Sequence, residues 1–447
     1  MAARLFGTDG IRGTAGAAPL DPPTVRRIGA AIIKVLEPEE TRPRLLIGRD
    51  TRESGGWIER ELAHGARLNG ADVETVGVLP TPAIAYLARA KEISLGAVIS
   101  ASHNPYQDNG IKVFSGAGHK FTEELERQVE AVVADSSWHV DQDEAPPVAE
   151  ADRSEAYLAH LRDQLDDTGP LSGAKLVVDC ANGATTPVAA RLFRGLGFEV
   201  TLLGASPDGR NINLRCGSTH PSAMAEAVSR VGAVGGVAFD GDGDRAIFAD
   251  EAGRIVDGDA VMLMCARQLK AEGRLRGNTV VATVMSNIGL ELALGESGIA
   301  LRRTQVGDKY VMEELLRDGF SLGGEQSGHV IALAHATTGD GLLTAALLLA
   351  ALAHADESLA DAARLVTKFP QRLVSVRADR TRLRDAEGVW EAVREVEAEL
   401  GRDGRVVLRA SGTEPLVRVM VEAADEADCE RLCRLLVATV EQELGLD

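Results

Sequence analysis

Three aspartates alternate with glycines in Asp240-Gly241-Asp242-Gly243-Asp244-Arg245. In an extended chain, residues two apart lie on one side, so the three carboxylates can converge. The glycines let the backbone bend to bring them together. Carboxylates this close repel one another unless a cation sits between them, and an all-oxygen set suits a hard ion such as Mg²⁺. An EF-hand loop is the competing pattern, and Glu251 even falls at its last ligand position. Arg245, however, stands where that loop requires glycine, and the flanks GGVAF and AIFAD read as strands rather than helices. The EF-hand is excluded; a solvated acidic turn is the plainer alternative.

Ser102 lies in Ser100-Ala101-Ser102-His103-Asn104-Pro105, just after a strand-like run. It reads either as a nucleophile or as a loop serine capping the next turn. No GxSxG elbow surrounds it, which disfavours a serine hydrolase. His103 and Asn104 either orient an oxyanion or stabilise the turn before Pro105. In Arg409-Ala410-Ser411-Gly412-Thr413-Glu414-Pro415, with Arg418, a small-residue loop offers backbone N–H groups and hydroxyls beside two arginines, the makings of a phosphate cradle. In Gly324-Glu325-Gln326-Ser327-Gly328-His329, Glu325 and Ser327 alternate and can meet one ligand, unless the loop is an ordinary hairpin.

The 447-residue chain carries a net charge of −19, which argues against a nucleic-acid binder with a basic face. An acidic protein that holds a phosphorylated anion must gather positive charge locally. Arg12, Lys112, Arg245 and Lys309, each beside a Gly/Asp-rich loop, are the candidates. The longest apolar run, 342–353, is roughly a dozen residues, short of the ~20 that span a bilayer, and reads as a buried helix. MAARLFGTDG lacks the apolar core of a signal peptide. The five cysteines are scattered, with no CxxC pair, so reduced thiols in a cytoplasmic protein are expected. Cys429 and Cys433, four apart on one helix, read as small core residues.

These loops need elements to hold them. Short β-branched runs at 45–47, 97–99, 176–178, 236–239, 280–284 and 330–333 alternate with amphipathic stretches such as 57–68, closed by Gly70, and 83–90, opened by Pro82. This is the βα alternation of layered α/β domains. The acidic, Pro-containing segment 135–154 and the break at Lys368-Phe369-Pro370 suggest boundaries. Beyond the second, the order strand, helix, strand, strand, helix (372–377, 386–400, 405–408, 417–422, 427–444) describes a small α+β domain. The expected division is 1–150, 151–253, 254–368 and 369–447. Within every one of these domains a strand runs straight into a polar loop (AVIS-ASHNP, GVAF-DGDGDR, SLG-GEQSGH, VVLR-ASGTEP), and ligands gather beyond the carboxyl ends of strands. One cleft built from four loops is the expectation.

Taken in order, FGTDGIRG, ISASHNP, DGDGDR, GEQSGH and RASGTEPLVRV resemble the α-D-phosphohexomutase family over nearly the whole chain. Gln326, the stretch Asp208–Asn213 and the turn Thr338–Gly341 look like its amino-sugar branch. The resemblance implies an isomerase of three related α/β domains with mixed sheets and a smaller C-terminal α+β domain around a central cleft. Ser102 would be the phosphoserine; Asp240, Asp242 and Asp244 would hold one Mg²⁺, with a phosphoserine oxygen of Ser102 as a further ligand. Glu325 and Ser327 would bind sugar hydroxyls, and Arg409, Ser411, Gly412, Thr413 and Arg418 the phosphate that is not reacting. Arg12, His103, Lys112, Arg245 and His329 fall at active-site positions, with Lys112 or His329 as general base. Lys309 departs from the arginine common in relatives; it keeps the charge and loses the bidentate fork.

The implied reaction interconverts glucosamine 6-phosphate and glucosamine 1-phosphate through a sugar 1,6-bisphosphate, toward UDP-N-acetylglucosamine. A homodimer and a priming kinase or bisphosphate are further expectations. The rival readings are the same mechanism on glucose or mannose phosphates, a non-catalytic sugar-phosphate binder, and a metal-dependent phosphatase.

Overall fold

The computed structural model describes residues 4–7, 9–36, 42–90, 92–140, 143–164, 171–411 and 414–446. Four sheets follow one another along the chain. In the first, Arg44–Arg49 lies parallel to both Asp72–Val78 and Leu95–Ile99, and Leu95–Ile99 then pairs antiparallel with Asp108–Ser115. Gly10–Thr14 and Phe6–Gly7 extend that edge, also antiparallel. The second sheet repeats the plan: Lys175–Asp179 is parallel to Glu199–Leu203 and Gly235–Phe239, and Gly235–Phe239 turns back antiparallel into Ala246–Asp250. In the third, Thr279–Thr283 is parallel to Ala300–Thr304 and Leu322–Gly324, and Leu322–Gly324 is antiparallel to Val330–Ala332. The fourth is wholly antiparallel, with Leu416–Glu422 between Gln371–Arg377 and Arg405–Ala410. Three α/β units with mixed sheets and a smaller α+β unit match the expected fold class.

The motif loops share one topological position. Residues 100–107, 240–245 and 325–329 each join the last parallel strand of a sheet to its antiparallel neighbour, and 411–415 joins the corresponding hairpin of the fourth sheet. A strand covered on both faces reads as a continuous apolar run. All of Leu95–Ile99 is buried, with Val98 in one core and Ala97 and Ile99 in the other. One apolar core runs through the first three units, from Val98 and Phe114 to Val178, Phe239, Val280 and Leu322. The fourth unit has its own, around Val376, Val389, Val417 and Leu436.

The expected elements at 45–47, 57–68, 176–178 and 427–444 lie within observed ones, and the apolar run 342–353 is the buried helix Gly341–Ala355, capped by the Asp340 carboxylate. The helix expected over 83–90 starts earlier and stops sooner, at Thr81–Leu87. Segment 136–153 has no helix or strand among its described residues beyond a bridge from Glu150 to Thr75. All five cysteines are free, and Cys429 and Cys433 are buried. The strand Asp108–Ser115 opens on Asp-Asn-Gly, a local turn signal. It is a strand because neighbours pair with it on both sides, and such context outweighs local preference.

Candidate active site

Ser102 is buried and held at φ +51°, a left-handed conformation uncommon for a residue with a side chain. The surrounding groups over-determine it. Its N–H donates to Ser100 Oγ (2.9 Å), and Ser100 Oγ donates to Asp50 (2.6 Å). Its carbonyl accepts from Arg52 Nη2 (3.0 Å) and Asn213 Nδ2 (2.9 Å). The Arg52 guanidinium, fully buried, also reaches Asp50 (2.8 Å) and the carbonyls of Asn104 (2.9 Å), Asp108 (2.9 Å) and Pro105. One side chain thus gathers the loop's carbonyls.

Ser102 Oγ donates to Asp240 Oδ2 at 2.5 Å, across two units of the fold. Close approach of the loops needs Gly241, since a Cβ there would stand 2.4 Å from the Ser102 carbonyl oxygen. Asp240, Asp242 and Asp244 are buried, with one oxygen from each lying within 4.8 Å of the others. Burial, then the charges of Asp244 and Asp242, push Asp240 well above the usual carboxylate range. Asp242 Oδ1 and Asp244 Oδ1 are buried without a hydrogen-bond partner among the described residues. Buried acceptors left open in a converging all-oxygen set fit a hard divalent cation such as Mg²⁺.

Three of the four cations expected from the sequence surround this cluster. Lys112 Nζ sits 2.9 Å from Asp242, 3.4 Å from Asp244 and 2.9 Å from Asp9. Burial works against its charge, yet Asp242, Asp9 and Asp244 hold its pKa well above that of a free lysine. Arg12 pairs with Asp9 (2.5 Å) and reaches Asn104. Arg245 is 3.8 Å from Asp244. The Nε groups of Arg12 and Arg245 are buried and make no hydrogen bond among the described residues, so each keeps a donor for an anion. His103 Nδ1 is 3.3 Å from Ser102 Oγ. Burial, followed by the charges of Arg245 and Arg12, lowers its pKa and keeps the ring neutral.

A closed ring of lysines, aspartates and His329 joins the three units. From Lys112 it runs to Asp9, then to Lys120 (2.6 Å), Asp308 (2.5 Å), His329 Nε2 (3.7 Å), and from His329 Nδ1 to Asp244 (3.6 Å), which returns to Lys112. Gly339 N–H donates to His329 Nε2 at 3.1 Å, so a neutral ring carries its proton on Nδ1, toward Asp244. Burial opposes its charge, but Asp244 and Asp308 raise its pKa.

The Gly324–His329 loop docks on this ring. Glu325 Oε1 accepts from Gly307 N–H (3.2 Å), and Ser327 Oγ is buried without a partner among the described residues. Lys309 pairs with Glu123 at 2.5 Å across the junction of the first and third units. In the fourth sheet Arg409 and Arg418 stand opposite each other. Burial and the nearby Arg418 charge lower the Arg409 pKa, as two cations side by side without a shared anion must. Ser411 Oγ accepts from Glu414 N–H (3.3 Å); Gly412 and Thr413 lie outside the described residues. Three of the four loops are in hydrogen-bond contact or linked by the ring. Among the described residues the fourth loop makes hydrogen bonds only within its own unit.

Sequence reasoning missed Asp9, Asp50, Arg52, Lys120, Asn213 and Asp308. Asp9 lies inside FGTDGIRG and was within reach. Arg52 follows a strand end, where site residues collect. Asp50 shares that strand end, Asn213 closes the stretch 208–213 and Asp308 adjoins Lys309, whereas Lys120 carries no local signal.

Comparison with known proteins agrees with this geometry. The phosphoglucomutase/phosphomannomutase alpha/beta/alpha domains I, II and III match residues 3–139, 155–253 and 257–369, and the C-terminal domain of the same proteins matches 373–438. The chain belongs to the phosphoglucomutase/phosphomannomutase family. Among its relatives, a phosphoglucosamine mutase of Desulforudis audaxviator is 47% identical, the match covering 98% of this chain and 97% of that one. A phosphoglucosamine mutase of Bacillus pumilus is 44% identical over 99% of this chain and 100% of its own length. A crystal structure of a phosphoglucomutase/phosphomannomutase family protein from Burkholderia thailandensis superposes with a TM-score of 0.80, both chains fully covered, at 24% identity. That likeness speaks for the fold.

Proposed function

We propose that the protein interconverts glucosamine 6-phosphate and glucosamine 1-phosphate by passing a phosphoryl group through Ser102. The observation that carries this is the 2.5 Å contact of Ser102 Oγ with Asp240, inside a three-carboxylate cluster ringed by Arg12, Arg245 and Lys112. Mere binding gives no reason to hold a serine hydroxyl beside a metal-type cluster. The amino-sugar substrate rests on the relatives named phosphoglucosamine mutase.

Phosphoryl transfer needs positioning and charge neutralisation more than covalent machinery. A phosphoserine brings roughly −1.5 to −2 charge at neutral pH. The Nε donors of Arg12 and Arg245 and the neutral His103 are placed to receive it. Asp240, Asp242 and Asp244 would hold Mg²⁺, which when bound supplies positive charge against the phosphoryl oxygens. In the first half-reaction the Ser102 Oγ–P bond breaks and a bond from phosphorus to sugar O1 forms. The O1 proton goes to a base, and a proton returns to Ser102 Oγ to give the hydroxyl that donates to Asp240. Of the two candidate bases, Lys112 is held as a cation by three carboxylates, and His329 must release the Gly339 N–H from Nε2 before that nitrogen can take the proton.

The product, glucosamine 1,6-bisphosphate, turns over, and its O6–P bond breaks as Ser102 is rephosphorylated. Glu325 and Ser327 bind sugar hydroxyls, while Arg409, Ser411, Gly412, Thr413 and Arg418 grip whichever phosphate is idle, with Lys309 assisting from the third unit. The protein works in the cytoplasm as a homodimer, primed by a kinase or by the bisphosphate. Intact mass with peptide mapping of wild type and Ser102→Ala tests the core: a phosphate on the peptide holding Ser102 and loss of turnover in the variant are expected. Unmodified, active Ser102→Ala protein would overturn it. Relative turnover of glucosamine, glucose and mannose phosphates tests the substrate.

A further inference from the structure

Gln326 sits between the two residues assigned to the sugar, yet its own side chain turns elsewhere. Its side-chain Nε2 donates to Asp259 Oδ2 at 3.2 Å, while its backbone carbonyl accepts from Gly258 N–H at 3.0 Å. The loop lies hard against the start of helix Gly258–Ala271: a Cβ on Gly258 would stand 2.2 Å from the Glu325 carbonyl oxygen. Asp259 is buried, and the oxygen that receives Gln326 also accepts the Asn287 backbone N–H at 2.8 Å.

From Asn287 the path crosses to the C-terminal unit. The Asn287 amide clamps the Phe369 peptide from both sides: Nδ2 donates to its carbonyl and Oδ1 accepts from its N–H, each at 3.0 Å. Nδ2 also reaches Glu422 Oε1 (3.4 Å), and the next residue, Ile288, donates its N–H to Glu422 Oε2 (2.9 Å). Glu422 is wholly buried and paired with Arg405 (2.6 Å), whose Nη2 returns to the Ser286 carbonyl (2.5 Å). Asp259 thus has the sugar loop on one side and, on the other, the seam that seats the phosphate-gripping unit.

We propose that Asp259 is a positioning residue, which through Gln326 and Asn287 makes the setting of the sugar loop and the seating of the C-terminal unit a single event. The inference rests on the function proposed above. A sugar held by Glu325 and Ser327 fixes the strip of backbone between them, and with it Gln326. The link needs an acceptor at Asp259 rather than a charge. Burial, and after it the neighbouring Asp257, push Asp259 up to about 7, so the carboxyl can serve in either protonation state.

The test uses the phosphorylated full-length protein with Mg²⁺ and three variants. Gln326→Met keeps length and volume and removes the donor; Asp259→Ala removes the acceptor; Asp259→Asn keeps one oxygen to accept both N–H groups. Losing a hydrogen bond to a charged or buried acceptor is worth roughly tenfold or more in affinity. Gln326→Met and Asp259→Ala are expected to raise KM for glucosamine 6-phosphate about tenfold with little change in kcat, and Asp259→Asn to restore most of the loss. Because contacts in one network do not add, the double variant Gln326→Met/Asp259→Ala should be no worse than Asp259→Ala.

Amide hydrogen exchange without substrate reads the link independently of activity. Gln326→Met should speed exchange at residues 287–289 and 369, in a different region of the chain, several-fold. Unchanged exchange there, or additive effects in the double variant, would overturn the proposal, as would an Asp259→Asn protein as impaired as Asp259→Ala. A wild type that fails to turn over glucosamine phosphates would sink the proposed function and leave the exchange test of Asp259 standing.

Discussion

Lys120 and Asp308 meet at 2.5 Å, one from the first unit and one from the start of helix Asp308–Asp318 in the third. The same ammonium lies 2.6 Å from Asp9, which in turn holds Lys112 beside the three-aspartate loop. A contact between two outer units therefore sets the charge around the carboxylates of the second.

Replacing Lys120 by methionine should cost stability. Breaking a buried pair by removing one partner costs ~3–5 kcal/mol and an exposed pair ~0–1 kcal/mol. Lys120 keeps 24% of its side-chain surface exposed, so about 2 kcal/mol is expected, read as a lower urea midpoint. An unchanged midpoint would mean that Asp9 and Asp308 are satisfied without it.

Asp242→Ala should abolish most turnover while leaving glucosamine 6-phosphate binding within a few-fold. Removing one preorganised electrostatic contributor typically costs ~10²–10³ in kcat, and the residues proposed to bind the sugar lie on another loop. Isothermal titration beside a kinetic assay at saturating Mg²⁺ separates the two. Near-normal turnover would refute the metal assignment.

Arg418→Ala should weaken binding of both glucosamine 6-phosphate and the 1,6-bisphosphate by roughly 10–100-fold, the range for a hydrogen bond to a charged group. Unchanged affinity for both ligands would remove Arg409 and Arg418 from the phosphate site.

Asp340 gives a pH signature. Burial pushes its carboxyl up to about 6, where its Oδ1 accepts both the Tyr157 hydroxyl (2.9 Å) and the Leu343 N–H (2.9 Å). A carboxyl raised above its unfolded value of ~3.9 binds more protons when folded. Its favourable contribution is complete below pH ~4 and is lost as the pH climbs through about 6. Asp340→Asn keeps both acceptor contacts and cannot titrate. The stability of wild type relative to Asp340→Asn should therefore fall between about pH 4 and 6, measured by urea unfolding at each pH; a constant difference would refute it.

The features of this site legible in the sequence are those with a local period. Asp240, Asp242 and Asp244 announce themselves because a spacing of two places carboxylates on one side of a chain. Strands such as Leu95–Ile99 are legible because burial on both faces leaves no polar position. Lys112 was legible as a cation and not as the partner of Asp9, since their meeting depends on the pairing of Gly10–Thr14 with Asp108–Ser115. Lys120 and Asp308 are 188 residues apart, and no spacing rule reaches that far. Arg52 was hidden differently: apart from Asp50, its partners are backbone carbonyls, which have no sequence identity to read.

The shared hairpin position of the working loops has an evolutionary consequence. Each of the first three sheets offers the same exit, past its last parallel strand, and each exit carries a different tool: a hydroxyl, a carboxylate cluster, the strip proposed to read the sugar. Retuning one tool means rewriting half a dozen residues between two strands that stay paired, while the other tools keep their mounts. A lineage built this way can change the sugar it accepts by drift in one turn and still inherit its chemistry intact from the other two.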